Sequence, residues 1–268
     1  MDRMAELLRV DHLEEDRWER SMRVGWLDMD AVRSAQVLVI GAGALGNEVV
    51  KNLALSGVRR ITVVDMDQVA RSNLNRCVFF REEDALSNMG KSEALAKRAL
   101  ELDPQLEVRP LIMRVEELEV AEFERHQIAF GCLDNIAARL HLNAHAYFHG
   151  IPLIDGGTLG TAGKVQVVVP PTTPCLQCAM NRTHLQVLEK RFSCTGADTS
   201  FYEPKLAAEI TTTSVIAAIQ VREGLKLISG QGDRCLRHLL YYNGLTNDIQ
   251  ELEVPLDLDC PVHARREV

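Results

Sequence analysis

The chain has 268 residues, of which 46% are hydrophobic and 25% charged, a composition typical of an ordinary soluble globular protein with one large domain or two small ones. Its formal net charge is −8 without any basic run, which argues against nucleic acid as the main partner, and no apolar run is long enough to cross a membrane. The N-terminus is too charged for a signal peptide, and an odd number of cysteines, seven, favours the reducing cytoplasm, with thiols used for metal binding or catalysis.

Residues 1–35 form a charged N-terminal segment. Their pattern predicts helix, complete or partial, over residues 5–29, with Trp18 and Trp26 set among charges. Arg20 lies in this segment, and composition alone would make it a solvated helix residue without a specific role.

The stretch 36–76 has the clearest signal in the chain. A buried apolar run at 36–40 leads into the glycine-rich sequence GAGALG at 41–46, and a helical pattern follows. A second apolar run, 61–64, then ends on Asp65. This order of strand, glycine turn, helix, strand and acid predicts a Rossmann-like nucleotide site.

Each glycine of this turn has a predicted purpose. Gly41 suits a tight turn, Gly43 lets the backbone approach a phosphate, and Gly46 lets the helix pack closely on the strand. The helix N-terminus offers unpaired N–H groups to an anion, and Asp65 is placed to accept hydrogen bonds from a ribose. The alternative is a structural glycine turn that binds no ligand.

Polar residues cluster behind the ribose acid, in the sequences DMD, SNLNR and GKS, and include Asp67, Asn73, Arg76 and Lys91. Cations and an amide at this place suit several phosphates, and so argue against NAD with its single pyrophosphate. Lys91 starts an amphipathic helix predicted over 91–103. Its charge there opposes the helix dipole, so either solvent or a bound anion must compensate it.

Two further strands are predicted at 108–113 and 127–132, the first near a sheet edge because Pro110 cannot donate to a central ladder. Asp134 follows the second strand and precedes a helix over 136–148. Ligands of open α/β sheets bind at the carboxyl ends of strands, so Asp134 either belongs to a ligand site or simply caps the helix.

Three histidines lie on that helix. His141, His145 and His149 share one face at a spacing that can bind metal. No carboxylate or further ligand accompanies them, so we expect surface or boundary histidines.

After a strand at 151–155 the parallel rhythm gives way to antiparallel pieces. The elements predicted beyond it are strands at 163–169, 239–242 and 249–254 and a long helix over 204–228. The fold class is therefore α/β, with a Rossmann-like, mostly parallel sheet carrying helices on both faces (36–155), followed by a smaller antiparallel half (156–268). No linker separates the halves, so residues 1–268 are treated as one domain.

Cys175 and Cys178 form a C-x-x-C pair, and Cys260 and His263 repeat its spacing far downstream. Three cysteines and one histidine are a normal ligand set for structural zinc, a closed tetrahedron without an open position for chemistry. Such a site would pin the C-terminal tail onto the domain. The alternative, a redox C-x-x-C, lacks a thioredoxin-like context.

Cys194 lies between the two metal pairs, in a polar and cationic segment. Cationic neighbours can lower the pKa of a thiol, so Cys194 is a candidate nucleophile, and the alternative is a loop cysteine without chemistry. Cys132 and Cys235 are expected to be structural. Cys77 is expected to pack as well, although the neighbouring Arg76 leaves a reactive thiol open.

The combination of GAGALG, DMD, SNLNR, GKS, CLDN and the two metal pairs resembles the ubiquitin-activating enzyme (ThiF–MoeB–HesA) superfamily, in its compact form with a single adenylation domain. The resemblance covers nearly the whole chain, and it implies ATP, Mg²⁺ and structural Zn²⁺ as cofactors. The nucleotide-binding and Mg²⁺-binding residues that it implies are Gly41, Gly43, Gly46, Asp65, Asp67, Asn73, Arg76, Lys91 and Asp134.

The resemblance also implies roles for residues that the motifs alone leave open. Arg20 would reach across a homodimer interface to the ATP of the partner, and Asp134 would hold magnesium. Cys194 matches a cysteine that accepts the activated protein as a thioester in ubiquitin-activating members and is dispensable in some sulfur-carrier members. His263 departs from the second cysteine pair that is usual in the superfamily, but keeps the ligand number and spacing.

The favoured hypothesis is ATP-dependent adenylation of the C-terminal glycine of a ubiquitin-like protein, followed by a thioester on Cys194 and transfer to a conjugating enzyme. An alternative is adenylation of a sulfur-carrier protein of the molybdopterin or thiamine type, without an obligatory enzyme thioester and with a separate sulfur donor. More remote alternatives are an NAD-dependent oxidoreductase, a non-catalytic scaffold subunit, and adenylation of a small molecule or a tRNA group. No membrane or nucleic-acid partner is expected.

Overall fold

The computed structural model describes residues 17–180 and 207–263. Its strands are β1 (Gln36–Ile40), β2 (Arg60–Val64), β3 (Glu107–Leu111), β4 (Ile128–Gly131), β5 (Leu153–Leu159), β6 (Ala162–Val168), β7 (Leu239–Asn243) and β8 (Asp248–Leu252). Its α-helices are α1 (Glu19–Met22), α2 (Met29–Ser34), α3 (Ala44–Leu55), α4 (Glu82–Leu86), α5 (Lys91–Ala99), α6 (Val120–Glu124), α7 (Ile136–Phe148) and α8 (Ile210–Ile228).

All eight strands form one sheet in the order β3-β2-β1-β4-β5-β6-β7-β8. The pairings from β3 to β5 are parallel, and those from β5 to β8 are antiparallel. The predicted fold class is thus confirmed, as is the edge position of β3, where Pro110 lies. Chain order reverses between β1 and β4, and that switch point is where open α/β sheets bind ligands.

Helices cover the sheet on both sides, because the central strands are apolar on both faces. One core layer joins alternate residues of the strands to α3, α5 and α8, and the other joins the remaining residues to α6, α7 and the turn at Cys175. Gln220 of α8 is fully buried, and its Nε2 donates to the carbonyl groups of Gly131 (3.1 Å) and Ile154 (3.0 Å). The described residues include no helix that is long and apolar enough to cross a membrane.

The N-terminal segment differs from its prediction. Within its described part, the chain forms the short helices α1 and α2 with turns between them. Asp28 starts the second helix anew, because its side chain accepts hydrogen bonds from the N–H groups of Asp30 (3.1 Å) and Ala31 (3.0 Å). An N-cap of this kind requires extended backbone, which interrupts a continuous helix.

Two other helix boundaries also differ. Helix α5 ends at Ala99 rather than near Asp103, because the N–H groups of Glu101 (3.1 Å) and Leu102 (3.0 Å) bond carbonyls three residues back, which tightens the chain into turns. Helix α8 starts at Ile210, where Glu209 caps the first N–H groups of Thr211 (2.7 Å) and Thr212 (2.8 Å). Strand β5 extends to Leu159 and so crosses the predicted boundary between the two halves at 155, a division that stays a prediction.

Candidate nucleotide and metal sites

The glycine turn connects β1 to α3 under tight steric limits. Gly41 has a φ of +101°, and a Cβ atom there would lie 2.6 Å from the carbonyl oxygen of Cys132. A Cβ at Gly46 would lie only 1.9 Å from the carbonyl oxygen of Gly41. A Cβ at Gly43 would meet nothing within 4 Å, so its backbone faces open space at the N-terminus of α3.

Asn47 braces this turn and was not foreseen from the sequence. It is fully buried, and its Nδ2 donates to the carbonyl groups of Ala42 (2.9 Å) and Gly43 (3.0 Å). Its Oδ1 accepts the N–H of Phe79 (3.0 Å), which ties the turn to the loop after the SNLNR sequence. A polar residue in the first turns of an amphipathic helix is a weak signal, because only the folded turn shows what it contacts.

Asp65, just after the end of β2, is hydrogen-bonded to the glycine turn. Its Oδ2 accepts the N–H of Ala42 (2.6 Å), and its Oδ1 accepts the N–H of Asp67 (2.8 Å). Burial raises the pKa of this carboxyl, while Lys91 and the two N–H groups act in the opposite direction. A carboxylate has about four lone-pair sites, so both oxygens retain acceptor capacity for a ribose.

Lys91 lies next to the same acids. Its Nζ donates to Asp67 Oδ2 (2.6 Å), and its backbone N–H bonds the carbonyl of Asp67 (2.8 Å). Burial disfavours the charge, but Asp65 and the bond to Asp67 outweigh burial and raise the pKa of Lys91. These carboxylates supply the compensation that the helix N-terminus requires, and Lys91 stays cationic at neutral pH.

The SNLNR loop follows Asp67 and contains a short 3₁₀ turn, Arg71–Asn73. Asn73 Oδ1 accepts the N–H of Ala70 (2.9 Å), and Arg76 donates to the carbonyl of Ser72 and to Asn75 Oδ1 (2.9 Å). The loop therefore holds both predicted phosphate ligands by local hydrogen bonds. Cys77 beside them is buried, and burial raises its pKa to about 11, which favours packing over reactivity.

Asp134 follows β4 at the switch point and is exposed. The neighbouring Asn135 is the residue that caps α7, since its Oδ1 accepts the N–H of Ala138 (2.8 Å). The carboxylate of Asp134 makes no hydrogen bond or ion pair with residues 17–180 or 207–263, and its charge acts on Lys91. A single free carboxylate at this edge fits Mg²⁺, which prefers one or two carboxylates together with phosphates and waters.

A buried ion pair next to this edge was also missed. Arg139 of α7 donates from Nε to Asp155 Oδ1 (3.1 Å) and from a terminal nitrogen to Oδ2, and Asp155 is 2% exposed. Burial opposes the charge of Arg139, but Asp155 raises its pKa. The pair joins a helix to a strand, so its only sequence signal is an aspartate inside an apolar run.

The predicted zinc ligands come together. Cys175 Sγ lies 3.8 Å from Cys178 Sγ and 3.7 Å from Cys260 Sγ, and Cys178 Sγ lies 3.5 Å from His263 Nε2. A tetrahedron with zinc–sulfur bonds of about 2.3 Å and a zinc–nitrogen bond of about 2.0 Å has sulfur–sulfur edges of about 3.8 Å and sulfur–nitrogen edges of about 3.5 Å. The four ligand atoms lie within 4.8 Å of one another, so the cluster fits a structural zinc ion.

Two predicted site residues remain, Cys194 and Arg20. Cys194 lies outside the described residues. Arg20 is exposed on α1, next to Trp18, whose indole packs against Gly57 just after the end of α3. On α7, the rings of His145 and His149 stack on each other and on Phe123, and the His141 ring lies 4.4 Å from that of His145.

Fold and site define a class of protein, and the chain belongs to the ThiF family, whose model matches residues 18–262. It is 29% identical over 266 residues to a SAMP-activating enzyme E1 of Haloferax volcanii, covering 95% of this chain and 91% of that protein. It is 26% identical over 264 residues to a molybdopterin-synthase adenylyltransferase of Escherichia coli, covering 97% and 99%.

Two further similarities cover a larger share of this chain than of the protein that it matches. The chain is 38% identical over 177 residues to the NEDD8-activating enzyme E1 catalytic subunit of Arabidopsis thaliana, covering 61% of this chain but only 38% of that protein. Its fold resembles a crystal structure of E. coli MccB with ATP, with a TM-score of 0.74 at 19% identity, over 95% of this chain and 76% of that one.

Proposed function

We propose that the protein uses ATP to adenylate the C-terminal glycine of a ubiquitin-like or sulfur-carrier protein. The observation that carries the proposal is the arrangement at the switch point. There the open backbone of Gly43, the cationic Lys91 and the free carboxylate of Asp134 lie around the carboxyl ends of β1, β2 and β4. Relatives that match nearly the whole chain are named as a SAMP-activating E1 and a molybdopterin-synthase adenylyltransferase.

The proposed reaction is attack of a carboxylate on the α-phosphate of ATP, which forms an acyl-adenylate and releases pyrophosphate. Two anions must meet, so the protein contributes positioning and positive charge. Gly41 and Gly46 shape the turn, the N–H groups at Gly43 and the start of α3 face the phosphates, and Asp65 accepts from the ribose. No general base is required, because the attacking carboxylate is already ionised at neutral pH.

The cations of the site have divided roles in this proposal. Lys91 is held by Asp67 at the edge of the cradle, and Asn73 and Arg76 are held by their own loop, so all three are oriented before ATP binds. Mg²⁺ bound through Asp134 would neutralise charge on the triphosphate. Asp134 is available for this because Asn135 has taken over the capping of α7.

The basic activity is tested with ATP and radioactive pyrophosphate in the presence of a protein with a C-terminal Gly-Gly sequence. Incorporation of label into ATP that depends on the protein substrate supports adenylation. Binding of NADH without any exchange would support the oxidoreductase alternative. Exchange that persists unchanged in Lys91→Ala and Asp134→Ala would contradict the proposed site.

The finer proposal is a thioester on Cys194, favoured over a sulfur-carrier reaction in which the enzyme forms no adduct. Both reactions need every residue of the nucleotide site, so they differ only in whether Cys194 forms a covalent adduct. Intact-mass spectrometry under non-reducing conditions, with ATP, Mg²⁺ and the protein substrate, distinguishes them. A thiol-labile adduct that is absent in Cys194→Ala supports the thioester, and an AMP-linked substrate without enzyme adduct supports the sulfur-carrier reaction.

A further inference from the structure

Asn143 of α7 is a fully buried polar residue beside the cysteine–histidine cluster. Its Oδ1 accepts the backbone N–H of Leu176 (2.9 Å), which fixes the turn between the two cysteines of the C-x-x-C pair. Its Nδ2 has no acceptor in hydrogen-bond geometry among the described residues. A buried donor of this kind needs a partner, because most buried polar groups in native proteins are paired.

The sulfur of Cys175 is the group to which Asn143 Nδ2 can donate a hydrogen bond. Leu176, whose N–H Asn143 Oδ1 accepts, directly follows Cys175 in the chain, so the Asn143 amide lies beside that cysteine. Cys175 is itself fully buried at the centre of the cluster, within 3.8 Å of two other sulfurs. A thiolate at this position accepts hydrogen bonds far better than the thiol does.

Tyr147 lies four residues further along α7, on the same helix face. Its ring stacks on the imidazole of His263 with centroids 4.6 Å apart and an interplanar angle of 15°. Nε2 of that imidazole is the atom that faces Cys178 Sγ at 3.5 Å. The tyrosine ring therefore fixes the plane in which the histidine presents its ligand atom.

We propose that Asn143 and Tyr147 are positioning residues of the metal centre, Asn143 by donating a hydrogen bond to the metal-bound Cys175 thiolate and Tyr147 by orienting the His263 ring. Hydrogen-bond partners and ring contacts of this kind tune metal affinity without touching the metal. The inference rests on the proposed zinc centre and is independent of the adenylation reaction. It makes α7 one rigid connection between the Asn135 cap at the nucleotide edge and the zinc ligands.

The first test measures zinc affinity by competition with a chromogenic chelator. Asn143→Asp keeps the acceptor for Leu176 but replaces the donor by an acid, and Asn143→Ala removes the donor without adding charge. Each variant is expected to bind zinc about 10- to 100-fold more weakly. Tyr147→Leu is expected to behave similarly, whereas Tyr147→Phe keeps the ring and should match the wild type.

Leu142→Val is the matched control, because Leu142 is a fully buried neighbour on α7 that contacts no zinc ligand by hydrogen bond or ring stacking. It should lower stability without changing zinc affinity. Wild-type affinity in both Asn143 variants and in Tyr147→Leu overturns the proposal. So does a loss in Leu142→Val equal to theirs, because the effect would then come from general loosening of the helix.

A second measurement uses the wild-type protein and so does not depend on any variant folding. With zinc replaced by the cadmium isotope of spin one-half, a side-chain amide proton of Asn143 should show scalar coupling to the metal through the Cys175 sulfur. Absence of this coupling, with coupling to the four ligands visible, overturns the role of Asn143. Neither measurement involves ATP, so failure here and failure of the proposed adenylation are separate results.

Discussion

At the scale of single residues, Lys91 is a cation held in place by neighbouring acids. Its Nζ is bonded to Asp67 Oδ2 at 2.6 Å, and its raised pKa keeps it cationic. In Lys91→Ala we expect kcat/KM in ATP–pyrophosphate exchange to fall about 10²- to 10³-fold, the loss typical of one missing electrostatic contact to the transition state. Stability should fall modestly, because the Lys91 side chain is only 14% exposed whereas Asp67 is 54% exposed, so solvent screens the ion pair only in part.

The control for this prediction is Lys97→Ala, an exposed lysine of the same helix α5. It has a similar effect on net charge and on helix propensity. Equal activity loss in both variants would show that overall charge, and not the position of Lys91, supports the reaction.

His126 gives the fold a pH dependence. It is buried, with its ring nitrogens 2.8 Å from Thr62 Oγ1 and 2.5 Å from the carbonyl oxygen of Glu122, and burial lowers its pKa below the ordinary 6.5. The unfolded chain therefore takes up a proton first as pH falls. The contribution of the neutral His126 ring to the free energy of unfolding is complete above the ordinary histidine pKa. It is lost as pH falls from there towards the folded-state pKa.

We expect the free energy of unfolding to decrease as pH falls below about 7.5, by up to about 1.4 kcal/mol per pH unit from this residue. His126→Gln should reduce this slope, as measured by urea denaturation at each pH. Thr62→Val is the control, because it removes the hydroxyl partner but keeps the buried imidazole, and should retain most of the slope at lower absolute stability. An unchanged slope in His126→Gln would assign the pH dependence to other groups.

The sequence was sufficient to predict where several site residues lie, while their roles in binding stay predictions. The glycines at 41, 43 and 46 and the acid at 65 lie at the turn that the motif predicts, and the three cysteines and one histidine predicted to bind zinc converge. The Arg139–Asp155 pair could not be predicted, because it exists only once the parallel register brings α7 over β5. For Asp134 the sequence left capping and ligand binding open; Asn135 proved to be the cap, and binding by Asp134 stays a prediction.

At the scale of elements, two glycines of the turn between β1 and α3 are expected to differ in purpose, Gly46 in folding and Gly43 in binding. Gly46→Ala would place a methyl group 1.9 Å from the carbonyl of Gly41, so α3 must move away from the sheet. We expect a loss of about 3 kcal/mol or more in the free energy of unfolding, or failure to fold. Gly43→Ala points into open space, so we expect near-wild-type stability and ATP binding weakened about tenfold or more, since the methyl group lies where backbone must approach phosphate.

The two variants are measured together, by thermal unfolding and by calorimetric titration with ATP. Both variants add one methyl group, at positions three residues apart in the chain. Each is therefore the control for the effect of the other. Normal ATP affinity in Gly43→Ala would show that phosphate does not approach this backbone.

Element boundaries were less predictable than the elements themselves. Periodicity located α3, α5, α7 and all eight strands, because apolar patterns depend on burial. The starts of α2 and α8 depend instead on side chains, Asp28 and Glu209, that satisfy free backbone N–H groups. Glutamate is not a favoured capping residue, so the position of Ile210 as first helical residue has only a weak sequence signal.

At the scale of the whole molecule, the cysteine–histidine cluster joins parts of the chain that are 85 residues apart. Removal of zinc by a chelator should therefore lower the melting temperature and expose the segment 253–259 to protease, while the parallel part of the sheet stays resistant. The reason is that the segment is mostly exposed and attached through Cys260 and His263. His263→Ala should reproduce both effects before any chelation, and a protease pattern that zinc removal leaves unchanged would contradict the pinning role.

Arg20 raises the question of whether one chain holds a complete site. Trp18 on the same segment packs at Gly57, beyond the C-terminal end of α3, whereas the glycine turn lies at its N-terminal end. A helix of 12 residues is about 18 Å long, so α1 lies one helix length from the phosphate cradle of its own chain. Arg20 is exposed and makes no ion pair with the described residues, which supports its proposed role in the site of a second copy.

This role predicts complementation between two inactive variants. In a mixed dimer of Arg20→Ala and Lys91→Ala chains, the site with intact Lys91 receives Arg20 from the other chain, whereas the second site lacks both. Random mixing makes half of the dimers mixed, so about a quarter of wild-type exchange activity should return after the subunits are allowed to exchange. If Arg20 served its own chain, every site would lack one residue and the mixture would stay inactive. The control is Arg23→Ala, which changes an exposed arginine in the turn after α1. This variant should retain activity without any partner variant.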